Sequence, residues 1–273
     1  MATTRAEHFR LQLGGRLATY GSLFALAAGL AVAAANHDPL GGMTAALAVL
    51  IALMVVIWKH ASEEWTTELF RGLAPALGLQ YMVTGSLPPI TPLLGAGDRR
   101  TFEHYMEGPV FGSLGGPRCG VAHYAFRSVD EDGKEGERYP FTVCGMEIDG
   151  ALPLFHGVFL RPRGGIVHDW LRGPRTEAVE LESTDFAERY ELRAAADQDR
   201  LVLHELFSPS FQVRLLEHPL RLGFECKAGE LVVFIPGHEL DRDRLILFHE
   251  AARDVARHVC AAIASPRAPT PAA

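Results

Sequence analysis

The stretch LATYGSLFALAAGLAVAAANHDPLGGMTAALAVLIALMVVIW, residues 17–58, divides the chain in two. It holds two apolar runs, 17–35 and 41–58, separated by a tight polar break at Asn36, His37, Asp38 and Pro39. Neither run carries a charge in its interior. A helix needs about 20 mostly apolar residues to cross a bilayer core, so the pattern predicts a two-span transmembrane helical hairpin. Gly21, Gly29 and many alanines would let the two helices pack closely, and Tyr20 and Trp58 sit near the ends, where aromatics favour the interface. A cleaved signal peptide fits the first run less well, because Glu7 stands in the leading segment and a second apolar run follows at once.

The basic residues predict the orientation. Arg5, Arg10 and Arg16 precede the first span and Lys59 follows the second, while the break has no Lys or Arg. Positive-inside reasoning puts both termini in the cytoplasm. The expected organisation is a cytoplasmic segment 1–16, the hairpin 17–58, a cytoplasmic domain 59–264 and a disordered Pro/Ala-rich tail 265–273, all held at a bacterial inner membrane as a multi-pass protein.

The part after the hairpin, about 215 residues, suffices for one large domain. The net charge of −7 and the scattered basic residues argue against a nucleic-acid partner, which calls for a positive stripe. Cys119, Cys144, Cys226 and Cys260 form no CxxC pair and read as core thiols in a reducing compartment. No cofactor or metal is expected.

Residues 62–77 read as an amphipathic helix continuing from the second span, with Trp65, Leu69, Leu73 and Leu77 on one side. Strands are predicted at 79–83, 110–113, 119–129, 139–146, 154–161 and 179–181, with Asp132-Gly133 marking the turn of a long hairpin. Within 154–161, Leu154, His156, Val158 and Leu160 would share one face. Further elements are a turn or helix start at Thr184, extended chain at 190–193, a helix over 197–207 with Leu201, His204 and Glu205 on its period, and a helix from Ser208-Pro209. There the hydroxyl would cap and the proline take the first turn, burying Phe211, Leu215 and Leu216. A hairpin at 222–226 and 231–235 and a last helix over 241–264 complete the chain. Its stripe is Phe248, Ala252, Val255, Val259 and Ile263. Strands with helices segregated around them predict an α+β domain with a mostly antiparallel sheet and flanking helices.

From Val179 the pattern VELESTDFAERY, then Asp197-Gln198, then LFSPSF at 206–211 and Arg214-Leu215-Leu216 resembles a bacterial membrane-anchored family known as domain of unknown function 3137. The resemblance extends to a Phe-x-Gly-x-Phe element (Phe155, Gly157, Phe159), a Leu-Glu-x-x-x-Phe element (Leu181, Glu182, Phe186) and an aromatic hairpin (Phe224, Phe234). Where the family has an Ala-Arg-aromatic step, this chain has Val202-Leu203-His204-Glu205. The resemblance implies a cytoplasmic α+β domain on a membrane hairpin and supplies no activity.

No motif specifies a reaction. Phe111-Gly112-Ser113-Leu114-Gly115-Gly116 approaches a nucleophile elbow but puts Phe111 where glycine is needed. His249-Glu250-Ala251-Ala252-Arg253 begins like a zinc helix and replaces the second histidine with Arg253, so the pair reads as decoration of a solvated face. His156 and His168 flank the basic, Gly-rich stretch 161–165, where Arg161, Arg163 and backbone donors through Gly165 could hold an anion such as a phosphate or a lipid headgroup. Asp197 and Gln198 read as a cap and a turn bond. The leading expectation is a membrane-tethered interaction or scaffold module whose partners are the lipid bilayer and a protein or a second copy of itself. The alternative is a membrane-bound hydrolase using Ser113 and His156.

Overall fold

In the computed structural model, residues 39–111, 117–148, 151, 154–164 and 176–265 are described. The chain divides into two compact units, 1–72 and 73–273. The first expected span, the break at 36–38, Ser113, His168 and the tail beyond 265 lie outside the described residues.

In the first unit, α1 (Pro39–Leu73) is one 35-residue helix. Large apolar side chains stand exposed along its first half, from Leu47 and Ile51 through Met54, Val55 and Val56 to Trp58. Polarity then switches: Lys59 pairs with Glu63 at 3.9 Å and His60 with Glu64 at 3.2 Å. The buried line in this half is Thr66, Phe70 and Leu73, not the expected Trp65, Leu69 and Leu77. Among the described residues no helix is long and apolar enough to cross a membrane. Several side chains of the 41–58 run, at 41–43, 45, 46, 50 and 53, fall outside that description.

The second unit is α+β. A 3₁₀ turn (Ala74–Leu77), with Pro75 in its first turn, ends at Gly78, whose φ of 72° is open to glycine. Then follow β1 (Gln80–Met82), α2 (Pro92–Gly95), β2 (Arg99–Pro109), β3 (Arg118–Val129), β4 (Glu135–Glu147), β5 (Val158–Pro162), β6 (Thr176–Ala178), α3 (Thr184–Arg189), β7 (Tyr190–Ala195), α4 (Arg200–Leu206), α5 (Pro209–Glu217), β8 (Gly223–Lys227), β9 (Glu230–Pro236) and α6 (Arg242–Ala264). The described strands form one sheet in the order β1-β2-β3-β4-β9-β8-β5-β7-β6. Every pairing in it is antiparallel.

The hairpin β3–β4 is the spine. Gly133, at φ 78°, and the Asp130 side chain, which accepts from Lys134 N at 2.7 Å, close its turn. The strand β4 begins at Glu135, so the last three residues of the acidic run 130–137 are strand rather than loop. The two halves of the sheet join where 141–147 of β4 pairs with 230–236 of β9. One face is covered by the segment 87–96, which packs Leu87, Leu93 and Leu94 on Tyr124, Phe126, Phe141 and Phe234. Close approach there requires glycine: a Cβ at Gly120 would lie 2.2 Å from the Tyr105 hydroxyl. On the opposite face, Phe207 stacks on Phe224, Phe211 packs against Phe224 at a tilt, and α6 buries Leu245, Phe248, Ala252, Val255 and Val259.

Several expectations are corrected. The strand expected at 110–113 ends earlier: β2 occupies 99–109, and Val110 and Phe111 are a turn. The half of β2 next to Arg99 is exposed and lacks apolar alternation because charge pairs replace it. Glu135 receives both Arg99 and Arg127, and Glu103 receives Arg138 at 3.0 Å. Leu154 and His156 are outside β5, which is buried at all five positions. The short strand near 179–181 is β6 at 176–178. Helix α4 buries Val202, Leu203 and Leu206 and leaves Leu201 exposed, reversing its expected face. Ser208 makes no side-chain cap bond; its hydroxyl lies 3.3 Å from that of Ser210.

A cluster of three imidazoles sits on the sheet. His123 is buried, stacks on His238 at 4.3 Å and meets the edge of His104 at 5.6 Å. His104 holds φ 54° at a bulge in β2. Burial, then the His238 neighbour, pulls His123 from 6.5 to about 3, against the support of its bond to the Glu239 carbonyl. The unfolded chain therefore takes up a proton near pH 6.5 that the folded chain refuses until about 3. Stability from this site is full above pH 6.5 and falls as pH drops through that window, by at most about 1.4 kcal/mol per pH unit. Thermal melts between pH 6.5 and 4 should show a shallower decline for His123→Gln than for the parent; equal slopes would contradict the buried neutral stack.

Candidate functional site

Of the residues singled out by the sequence, His156, Arg161, Asp197 and Gln198 lie in or beside β5 and the segment that bonds to it. Gln198 is the structural member of the Asp-Gln step. It is 5% exposed, accepts from His156 N at 2.9 Å and donates to Leu154 O at 2.8 Å, so one side chain clasps the chain entering β5. Asp197 points outward and accepts from His156 Nδ1 at 3.0 Å. That pair is open to water, with side chains 45% and 74% exposed. It has the orienter-and-base half of a triad, but Ser113 lies outside the described residues, and no nucleophile is placed beside it.

Arg161 is not an anion ligand. Its Nη2 donates to Glu225 Oε1 at 2.8 Å, and the side chains are 5% and 0% exposed. Glu225 Oε2 also accepts from Leu93 N at 2.7 Å. The positive charge is already answered inside the fold. Arg163 does face solvent. Its Nε donates to Tyr190 O at 3.1 Å, and it lines a notch of about 120 Å³ with Arg189, Arg221, His218 and Glu188. Arg189 donates to Leu216 O at 3.0 Å, at the C-terminus of α5, where a cation is favoured. The notch is the basic feature that the 161–165 stretch pointed to, but most of its cations come from elsewhere in the chain.

The family-like segment builds shape. Ser183 caps α3 through Phe186 N, and Asp199 caps α4 through Leu201 N. Phe186 stacks on Tyr190 at 4.9 Å and meets Phe207 at 6.1 Å, and Phe207 stacks on Phe224 at 5.8 Å. Phe211 stacks on His258 of α6 at 3.9 Å. Among the exposed residues of α5, Val213 is apolar and 48% exposed.

Two features were missed by sequence reasoning. His249 is 2% exposed, with Nε2 unpartnered, and Arg253 is half-buried; neither decorates a solvated face. The apolar period could have found this, since His249 lies between Leu245 and Ala252 on the buried stripe. The imidazole cluster brings together residues from β2, β3 and the segment after β9, which only strand register reveals. Its nitrogens do not converge: His123 Nε2 faces Glu239 O at 2.9 Å, and His238 Nε2 faces Tyr124 O at 3.2 Å. Among the described residues no group of three or more His, Cys, Asp or Glu could hold a metal ion.

These features define an α+β domain with one antiparallel sheet, a basic notch and no assembled catalytic group among the described residues. No protein-family model matches the chain, and no curated protein matches it. Among solved structures, it is similar to the crystal structure of the mycobacterial trehalose monomycolate transport factor A, TtfA. The identity is 11% and the TM-score 0.49, over 75% of this chain and 98% of that one. A likeness that loose transfers no role.

The clasp and the exposed pair should separate by mutation. Gln198→Ala leaves His156 N–H and Leu154 C=O without partners and should cost about 1–3 kcal/mol. Asp197→Ala removes only an exposed contact and should cost at most about 1 kcal/mol. Urea melts of both variants check the order; an equal or reversed cost would contradict the clasp.

Proposed function

We propose that this chain is a membrane-tethered cytoplasmic module that works by contact. The observation that carries the reading is α1. Its large apolar side chains stand exposed from Leu47 to Trp58, and the same helix runs on through a polar segment to Leu73. A stripe of that size exposed on one helix calls for an apolar surrounding. In this reading, 17–35 and 41–58 form the two-span hairpin, the basic flanks hold both termini in the cytoplasm, and the anchor lies in the bacterial inner membrane. The resemblance to the domain of unknown function 3137 family supports the same organisation. The domain meets a protein partner, or a second copy of the chain, through exposed groups such as Val213 beside the basic notch.

The alternative is a membrane-bound hydrolase using Ser113 and His156, and it draws on the bond between His156 and Asp197. The two readings part on mutation. Under the contact reading, Ser113→Ala and His156→Ala leave the phenotype of the intact gene nearly unchanged. Val213→Asp, on an exposed face of a helix whose buried residues are Phe211, Gln212 and Leu215, removes copurification of the partner without unfolding the domain. Loss of function from Ser113→Ala in a folded, inserted protein would overturn the contact reading in favour of the hydrolase.

A further inference from the structure

The basic notch is built by three parts of the chain, each of which supplies one guanidinium. Pro162 of β5 pairs with Tyr190 of β7, and one step further Arg163 N donates to Arg189 O at 2.7 Å. Arg163 and Arg189 thus stand across from each other where the ladder ends. Arg163 Nε donates to Tyr190 O at 3.1 Å, and Arg189 Nη1 donates to Leu216 O at 3.0 Å. A guanidinium carries five N–H donors, so one bond to a backbone carbonyl orients it and leaves donors to spare. Arg221 arrives from the segment between α5 and β8. Its neighbours Leu220 and Leu222 are both buried, and Leu222 N donates to Leu220 O at 3.0 Å, which sets Arg221 outward between them. Pro162, Tyr190, Leu215 and Leu216 supply the apolar wall.

The charge gathered there is not answered by the protein. Glu188 also lines the notch, so three arginines stand against one glutamate. Among the described residues Arg163, Arg189 and Arg221 form no ion pair, whereas Arg99, Arg118, Arg127, Arg138 and Arg161 are each held by a glutamate. Like charges set across a strand pair repel, and a chain of net charge −7 has carboxylates enough to pair them. Burial raises the Tyr190 hydroxyl, while Arg189 and Arg221 both pull against it, in keeping with two cations that meet at one place. At about 120 Å³ the notch is well below the roughly 300–1,000 Å³ of a pocket for a drug-sized ligand, so it suits one small charged group.

We propose that the notch binds the phosphate group of a phosphate monoester through Arg163, Arg189 and Arg221. Such a group presents three acceptor oxygens and nearly two negative charges at neutral pH. That matches the two positive charges left when one glutamate is set against three arginines. Planar guanidinium forks can meet those oxygens from different sides with paired N–H···O bonds. A carboxylate brings two oxygens in one plane and a single charge, and would leave part of the notch unanswered. Two of the three forks are already held by backbone carbonyls, so little side-chain freedom is lost when the anion arrives. Two sources share this chemistry, a lipid headgroup such as that of phosphatidic acid and a free phosphate compound. The site goes beyond the contact reading and does not depend on it.

The test is isothermal titration calorimetry of the purified full-length chain, in neutral detergent micelles, with inorganic phosphate and with glycerol 3-phosphate. Saturable binding is expected, and it should weaken as sodium chloride is added. Arg221→Gln should lose roughly tenfold in affinity. Its guanidinium makes no hydrogen bond among the described residues, so the variant should keep the parent's thermal transition. Glu188→Gln should bind several-fold more tightly, because the opposing carboxylate is gone. Arg242→Gln, which removes an exposed arginine at the start of α6, should bind like the parent. Phosphatidic acid mixed into the micelles assigns the source: competition with glycerol 3-phosphate points to a lipid headgroup, and undiminished binding points to a free phosphate compound. The proposal is overturned if the folded chain binds neither anion saturably, if Arg242→Gln weakens binding as much as Arg221→Gln, or if Glu188→Gln weakens it.

Discussion

One buried carboxylate fixes how the domain goes together. Glu225 sits in the middle of β8, fully removed from water, and binds Arg161 on β5 at 2.8 Å and the peptide nitrogen of Leu93 at 2.7 Å. Tyr124 on β3 donates to the carbonyl of the same Leu93 at 3.0 Å. Strands from both halves of the sheet thus converge on one turn of the covering segment. Burying two charges costs several kcal/mol per ion before they pair. Arg161 Nε and Nη1 find no partner, so the knot is not fully satisfied. Its contribution is register: the apolar cover of Leu87, Leu93 and Leu94 fits the aromatic face in one position because a charge and a peptide donor meet there. Removing one partner would strand the other as a buried charge, at about 3–5 kcal/mol.

From that knot the site follows. The Arg161–Glu225 pair holds β5 against β8, Gln198 clasps the chain leading into β5, and Arg163 is carried past the strand end into the notch. The aromatic residues of the family-like segment fill the other face. Phe186, Phe207, Phe211 and Phe224 form one contiguous set of rings, which ties α3, α4 and α5 to β8. The segment that looks most like a known family is therefore mainly packing.

The legible parts of the fold had strong local signals. The β3–β4 and β8–β9 hairpins announce themselves by alternation around Asp132-Gly133 and Ala228-Gly229, and α6 by its apolar period. β2 was hidden because its outer half is held by cross-strand ion pairs rather than apolar contacts, a form of strand pairing that hydropathy does not register. In the candidate site, His156 and the Asp-Gln step were picked out, but their division into an exposed pair and a buried clasp depends on tertiary placement. Arg161 was read as a loop cation because nothing local names Glu225, 64 residues away, as its partner.

The proposed contact role depends most on the anchor, because in that reading the domain has to be held where its partner is. The most direct measurement is alkaline carbonate extraction of membranes from cells expressing the full chain, beside a fragment that starts at Ser62. The full chain should stay in the membrane pellet after the wash, while the fragment should be recovered in the soluble fraction with a cooperative thermal transition. Release of the full chain by carbonate would contradict the account, as would a fragment that does not fold.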